Sequence, residues 1–243
     1  MLAIFNKEFN SFFSSANGYI VIGLFLVSTG SLIWVVPGPF NIFDLGYVNL
    51  IPFFEALPWV FAFLIPAISM RSFSEERKQG TMELLLTKPL SLNQLVFGKF
   101  LGCLCLSLIA ILPTFFYLIS LSELTAENVT IDYGVIFSSY FGLVLLISCF
   151  TSIGIFASSV STNQIVAFIW GTVISLFLYF GFDGLNSIAI GGSQLYSLEY
   201  FGINYHFKSI TRGILDSRNL IYLISISVLF LALTRIQLKT LSE

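Results

Sequence analysis

Residues 133–182, YGVIFSSYFGLVLLISCFTSIGIFASSVSTNQIVAFIWGTVISLFLYFGF, run for fifty positions without a Lys, Arg, Asp, Glu or His. The hydrocarbon core of a bilayer is about 30 Å thick and takes about 20 helical residues to cross, and a charge at its centre costs about 3 kcal/mol even on a lenient insertion scale. Charge-free runs therefore mark crossings, and charges mark their edges. Fifty residues are too many for one crossing. The polar run Ser158-Ser159-Val160-Ser161-Thr162-Asn163-Gln164 divides them, so the stretch reads as two spans, about 134–157 and 165–182.

The same rule, carried outward, finds four more. Residues 9–43 are uncharged, and their densest part, 18–36, ends at the breaker Val36-Pro37-Gly38-Pro39. Residues 51–70 form the second span, with Arg71 at its end, Pro66 as a candidate kink and Glu55 about one turn from its start. Residues 100–121, between Lys99 and Glu123, form the third, and 219–238, with Arg218 and Arg235 near the ends, the sixth. The expected fold is an all-α integral membrane protein of six transmembrane helices.

Composition agrees. Of 243 residues, 56% are hydrophobic and 10% charged, against about a quarter charged in soluble domains, and the mean hydropathy is +0.91. A soluble enzyme is excluded. A formal net charge of −2 offers no basic field, so nucleic acid is excluded as a partner. Cys103, Cys105 and Cys149 lie in apolar runs and read as small core residues.

Orientation follows from Lys and Arg. With both termini cytoplasmic, Lys7, Arg71, Arg77, Lys78, Lys88, Lys99, Arg235 and Lys239 fall inside, eight of the eleven, and Lys208, Arg212 and Arg218 fall in the outer loop 183–218. The first two outer loops hold Asp44, Glu123, Glu127 and Asp132 and no basic residue. At the N-terminus, Ile4/Phe5, Phe9, Phe12 and Phe13 recur at helical spacing opposite Asn6, Lys7, Asn10 and Ser14. That pattern favours an interfacial helix over a plain extension of span one.

Most of the charge sits in loop 71–91, Arg71-Ser72-Phe73-Ser74-Glu75-Glu76-Arg77-Lys78-Gln79-Gly80-Thr81-Met82-Glu83-Leu84-Leu85-Leu86-Thr87-Lys88-Pro89-Leu90-Ser91. Ser72 with Glu75 has the form of a capping box, so a helix is expected to start there. Gly80 interrupts it, Thr81 opens further turns, and Lys88-Pro89 stops them because the residue before proline avoids the α region. Ser91 with Gln94 forms a second box. The leucines between charged flanks need cover, either from a soluble partner or from the chain's own spans.

The run Glu75-Glu76-Arg77 with Gly80-Thr81, Glu83-Leu84-Leu85, Pro89 and Ser91, directly after span two, resembles the cytoplasmic signature of ABC-2 type transporter permeases. Residues 64–71 and 207–218 resemble the gliding-motility branch of that superfamily, the one containing its F subunit. The likeness covers essentially the whole chain, 1–243, as a single transmembrane domain of the type V exporter kind. It implies a membrane subunit that pairs with a second copy or a paralogue and docks cytoplasmic ABC ATPase subunits, which would hold ATP and Mg. Loop 71–91 would be the coupling helix, with Glu75, Glu76, Arg77, Gly80, Thr81, Glu83 and Leu84 matching the coupling segment. The branch adds a larger membrane subunit with a periplasmic domain and places the chain in the bacterial inner membrane, among lipid. The rival is a membrane scaffold for envelope or motility machinery that moves no solute.

No G-x-x-x-x-G-K-[ST] loop occurs; Gly98-Lys99 is followed by Phe100 and has Asn93 where the first glycine belongs. The chain is therefore not expected to be an enzyme or to bind a cofactor itself. Neither a His pair nor paired Asp lies deep in a span, so no catalytic residues and no metal site are expected. His206, the lone histidine, reads as an exposed loop side chain. Glu55 is either a pathway group or an interfacial carboxylate. In segment 204–216, Phe207, Ile210 and Ile214 recur at spacings of three and four, which reads as an amphipathic outer-loop helix, a lid over the pathway or a passive cap.

Overall fold

A computed structural model describes residues 1–14, 16–44, 50–83, 91–124, 132–188 and 199–241, and the described residues contain helices and connecting turns only. The chain order is α1 (Leu2–Phe13), α2 (Ala16–Trp34), α3 (Ile51–Ser69), α4 (Arg71–Lys78), α5 (Leu92–Ile111), a 3-10 turn (Leu112–Thr114), α6 (Phe115–Leu124), α7 (Tyr133–Val160), α8 (Gln164–Leu176), a π-helical turn (Phe177–Gly181), α9 (Phe182–Ile188), a second 3-10 turn (Glu199–Phe201), α10 (Ile203–Thr211) and α11 (Ser217–Thr240). Five of these stretches are long and apolar enough to cross a membrane, Ile51–Lys78, Leu92–Glu123, Tyr133–Val160, Gln164–Leu185 and Ser217–Thr240; α1 and α2, bent by 68° from each other, meet the same criteria only when taken together, which would bring the number to six.

α7 is the axis of the bundle. It packs against α3, α4, α5, α8, α10 and α11, and 72% of its apolar window is buried, against 28% for α8 and its continuation. Between helices in a bilayer there is no hydrophobic driving force, so close approach and polar contacts carry association. At Gly154 of α7, an added Cβ would stand 2.0 Å from Ser69 Oγ and 3.6 Å from Pro66 Cα of α3. Cys149 Sγ of α7 donates to the Leu223 carbonyl of α11 at 3.0 Å, and Ser148 donates to Ser227 at 3.2 Å.

Several boundaries differ from expectation, each for a local reason. The third helix starts at Leu92, because Ser91 and Gln94 form the capping box the sequence promised; Lys99 is therefore inside the helix rather than at its edge. The helix also does not end at 121, but continues past Pro113 through one 3-10 turn into α6. α7 runs on to Val160, so Ser158 and Ser159 belong to it, and the break before α8 is only Ser161–Asn163. The fifth span does not stop at Phe182, since the π-helical turn carries it into α9. Two other boundaries fall where the sequence put them: α3 runs through Pro58 and Pro66 and breaks at Met70, and α1 is a helix separate from α2.

Candidate functional site

The charged segment after span two is built as an outgrowth of α3. The stretch Ile51–Lys78 holds 28 residues; at about 1.5 Å per residue it is roughly 42 Å long, about 12 Å more than a 30 Å hydrocarbon core. α4 is that overhang. The expected Ser72–Glu75 capping box does not form. Ser72 is already inside the helix and buried, its hydroxyl 3.2 Å from Cys103 Sγ of α5. The cap comes from α7 instead: the Phe73 and Ser74 amides donate to Ser158 Oγ at 2.9 and 3.1 Å, and the Ser158 hydroxyl donates to the Met70 carbonyl at 2.8 Å. One side chain thus satisfies both sides of the break at Met70.

The residues matching the coupling segment divide into two groups. Glu76 is 8% exposed and points inward. The Arg77 guanidinium donates to the Ser159 carbonyl, one residue from the end of α7, where a cation complements the negative end of the helix dipole. Glu75 accepts a bond from the Gln79 amide at 3.4 Å, and Lys78, Gln79, Gly80 and Glu83 are exposed. Gly80 has φ +68°, a left-handed conformation glycine tolerates, and ends α4. The Thr81 amide and hydroxyl both donate to the Glu76 carbonyl, at 3.0 and 3.3 Å. Leu84 and the rest of 84–90 lie outside the described residues.

Glu76 belongs to a cluster that the sequence did not reveal. The Lys99 ammonium lies 2.8 Å from Glu8 Oε1 and 2.9 Å from Glu76 Oε2, donates to the Ser72 carbonyl, and stands 4.9 Å from the Phe73 ring centroid. Its side chain is 2% exposed, those of Glu8 and Glu76 13% and 11%. Lys7, well exposed, adds an outer pair to Glu76 Oε1 at 3.1 Å. The four charges sum to zero, which a buried cluster requires. They join α1, α4 and α5 beside a cavity of about 410 Å³ that Arg71, Glu75 and Gln79 also line. Two glycines of α5 let α1 approach: a Cβ at Gly98 would stand 2.9 Å from Ile4 Cβ, and one at Gly102 would stand 2.8 Å from Glu8 Cβ. Two sequence signals were available, the Ser91–Gln94 box that puts Lys99 inside a helix and the small-x-x-x-small spacing of Gly98 and Gly102.

At the other end of the bundle, α10 covers α7 and α11. Phe207 and Ile210 are buried, as an amphipathic helix predicts, but Ile214 is 58% exposed. The turn at Gly213, φ +87°, takes Ile214 off the helix, and Ile203 completes the buried face instead. His206 is also unlike its expectation. It is 7% exposed, with Nδ1 2.7 Å from Asn219 Oδ1, Nε2 2.9 Å from the Tyr200 carbonyl, and its ring stacked on Tyr222 at 3.9 Å. It ties α10 to the start of α11. Glu55 is exposed and lines a pocket of about 200 Å³ with Trp59, Phe207 and Lys208. Among the described residues, no cluster of His, Cys, Asp and Glu has the makings of a metal site.

An all-helical bundle with five to six membrane-length helices, and a charged overhang braced against two of them and α1, defines a multi-pass membrane protein with one built-up polar end. The family model for ABC-2 family transporter proteins matches residues 2–235, nearly the whole chain, and the chain belongs to that family. Membership makes it an ABC transporter membrane subunit and implies a cytoplasmic ABC ATPase as partner. No curated protein matches the sequence.

Proposed function

We propose that this chain converts ATP-driven movement of a partner ATPase into movement of its own helices, and that α4 with the Gly80 turn is the coupling element. The ATPase, carrying ATP and Mg, would dock on the outward face formed by Glu75, Lys78, Gln79 and Glu83, with Leu84 beyond it. Glu76 and Arg77 would act on the inward side and transmit the displacement. The observation that carries this reading is the bracing of α4: it is held to α7 by Ser158 and Arg77 and to α1 and α5 by the Lys99 cluster. A push on its exposed face therefore reaches three helices without first melting the segment.

The reading places both termini and α4 on the cytoplasmic face of a bacterial inner membrane, α1 along the interface, and two permease chains in the working unit. The gliding-motility role, with its larger periplasmic-domain subunit, rests on the resemblance of residues 64–71 and 207–218. The test is co-purification with the ATPase. Wild-type chain is expected to retain it and stimulate its turnover, and Glu83→Lys is expected to lose both while accumulating normally. An unchanged complex with Glu83→Lys and Lys78→Glu together would remove α4 as the dock, and function surviving a hydrolysis-dead ATPase would favour the scaffold.

A further inference from the structure

The pocket at the end of the bundle away from α4 has a composition that points to a ligand. Its rings form a chain: Trp59 of α3 stacks on Phe180 at 3.8 Å, Phe180 meets Tyr179 at 4.5 Å, and Tyr179 meets Phe207 of α10 at 6.3 Å. Glu55, one helical turn before Trp59, and Lys208, next to Phe207, line the same space. Among the described residues neither enters an ion pair.

Two further observations mark the place. Tyr179 and Phe180 lie in the π-helical turn Phe177–Gly181, a rare backbone insertion that re-aims side chains and recurs at functional sites. Asn204, 3% exposed, lines the pocket and donates to Asp183 Oδ2, and among the described residues its buried Oδ1 has no hydrogen-bond partner.

From this arrangement we infer that the pocket binds the headgroup of a zwitterionic phospholipid, its ammonium held by Glu55 and the ring wall and its phosphate by Lys208. Ring faces and a carboxylate together recognise an organic cation, and a basic residue on the same rim suits the adjoining phosphate. The volume, about 200 Å³, is below the roughly 300–1,000 Å³ of pockets that enclose whole drug-sized ligands, so one end of a longer molecule fits. Glu55 is the fifth residue of α3, about one turn from the end of a membrane-length helix, a position that suits the depth of lipid headgroups. This inference goes beyond the coupling reading and does not depend on it.

The test uses the full chain in detergent with Trp34→Phe and Trp170→Phe, leaving Trp59 as the sole tryptophan and a reporter of the pocket. Dihexanoylphosphatidylcholine is expected to give a saturable fluorescence change, dihexanoylphosphatidylglycerol none, and free choline binding about tenfold weaker than the lipid. Glu55→Gln and Lys208→Gln are each expected to weaken the zwitterionic lipid about tenfold. Both positions are solvent-exposed, and a melting temperature unchanged from the parent shows that the variants fold. Equal response to phosphatidylglycerol, or unchanged affinity in Glu55→Gln, overturns the site. Free choline binding as tightly as the lipid overturns the lipid as its occupant.

Discussion

Replacing Lys99 with methionine removes the cation that two carboxylates share while keeping a long apolar stem to fill the space. The ammonium sits 2.8 and 2.9 Å from Glu8 and Glu76, and its side chain is 2% exposed. Loss of one partner of a buried pair costs about 3–5 kcal/mol, because the remaining charge stays buried without compensation. Here two carboxylates are left facing each other, and the Ser72 carbonyl loses its donor as well. Lys7 is a built-in control: its side chain is 62% exposed, and such pairs are worth about 0–1 kcal/mol. A chain of this size loses roughly 2–4 °C of melting temperature per kcal/mol, so Lys99→Met is expected to melt on the order of 10 °C lower, and Lys7→Met within a few degrees of the parent.

Thiol-reactive dye reports the melt, since Cys103 and Cys149 are buried and become labelled as helices part. The combination Lys99→Met, Glu8→Gln and Glu76→Gln leaves no buried charge and is expected to recover most of the loss. If Lys99→Met melts with Lys7→Met, or the neutral triple variant melts no higher than Lys99→Met, the cluster does not brace the three helices.

Other substitutions separate the bracing contacts from the docking face. Ser158→Ala strips the cap from α4 and is expected to cost about 1–3 kcal/mol and to speed amide hydrogen exchange at Phe73 and Ser74 selectively; unchanged exchange there would show that α4 caps itself. Arg77→Glu puts a carboxylate against the negative end of α7 and is expected to lower both stability and ATPase coupling, whereas Glu83→Lys lowers coupling alone, as complex formation and melting measured side by side will show. Gly154→Ala forces a methyl group against Ser69 and is expected to cost about 1–3 kcal/mol, read as a lower melting temperature; a neutral result would mean that α3 and α7 are not in close contact there.

The sequence alone determined that the chain is a helical membrane protein and roughly where its long apolar helices lie, because one charge in hydrocarbon costs more than any local preference returns, and charges are legible one residue at a time. It determined the Ser91–Gln94 start of α5 and the Gly80 stop of α4 for a similar reason, since those signals act within three or four residues. Tertiary structure decided what the polar residues do. Ser72 and Glu75 had the spacing of a cap, yet Ser158, 84 residues from Ser74, took that place once α7 stood beside the break. Lys99 looked like an edge marker and became the buried centre of a cluster, because Glu8 and Glu76 arrive from 91 and 23 positions away. His206 looked exposed until α11 brought Asn219 and Tyr222 against it. Partners supplied from a distant part of the chain leave no local pattern, so a polar residue's role emerges only when the helices are assembled.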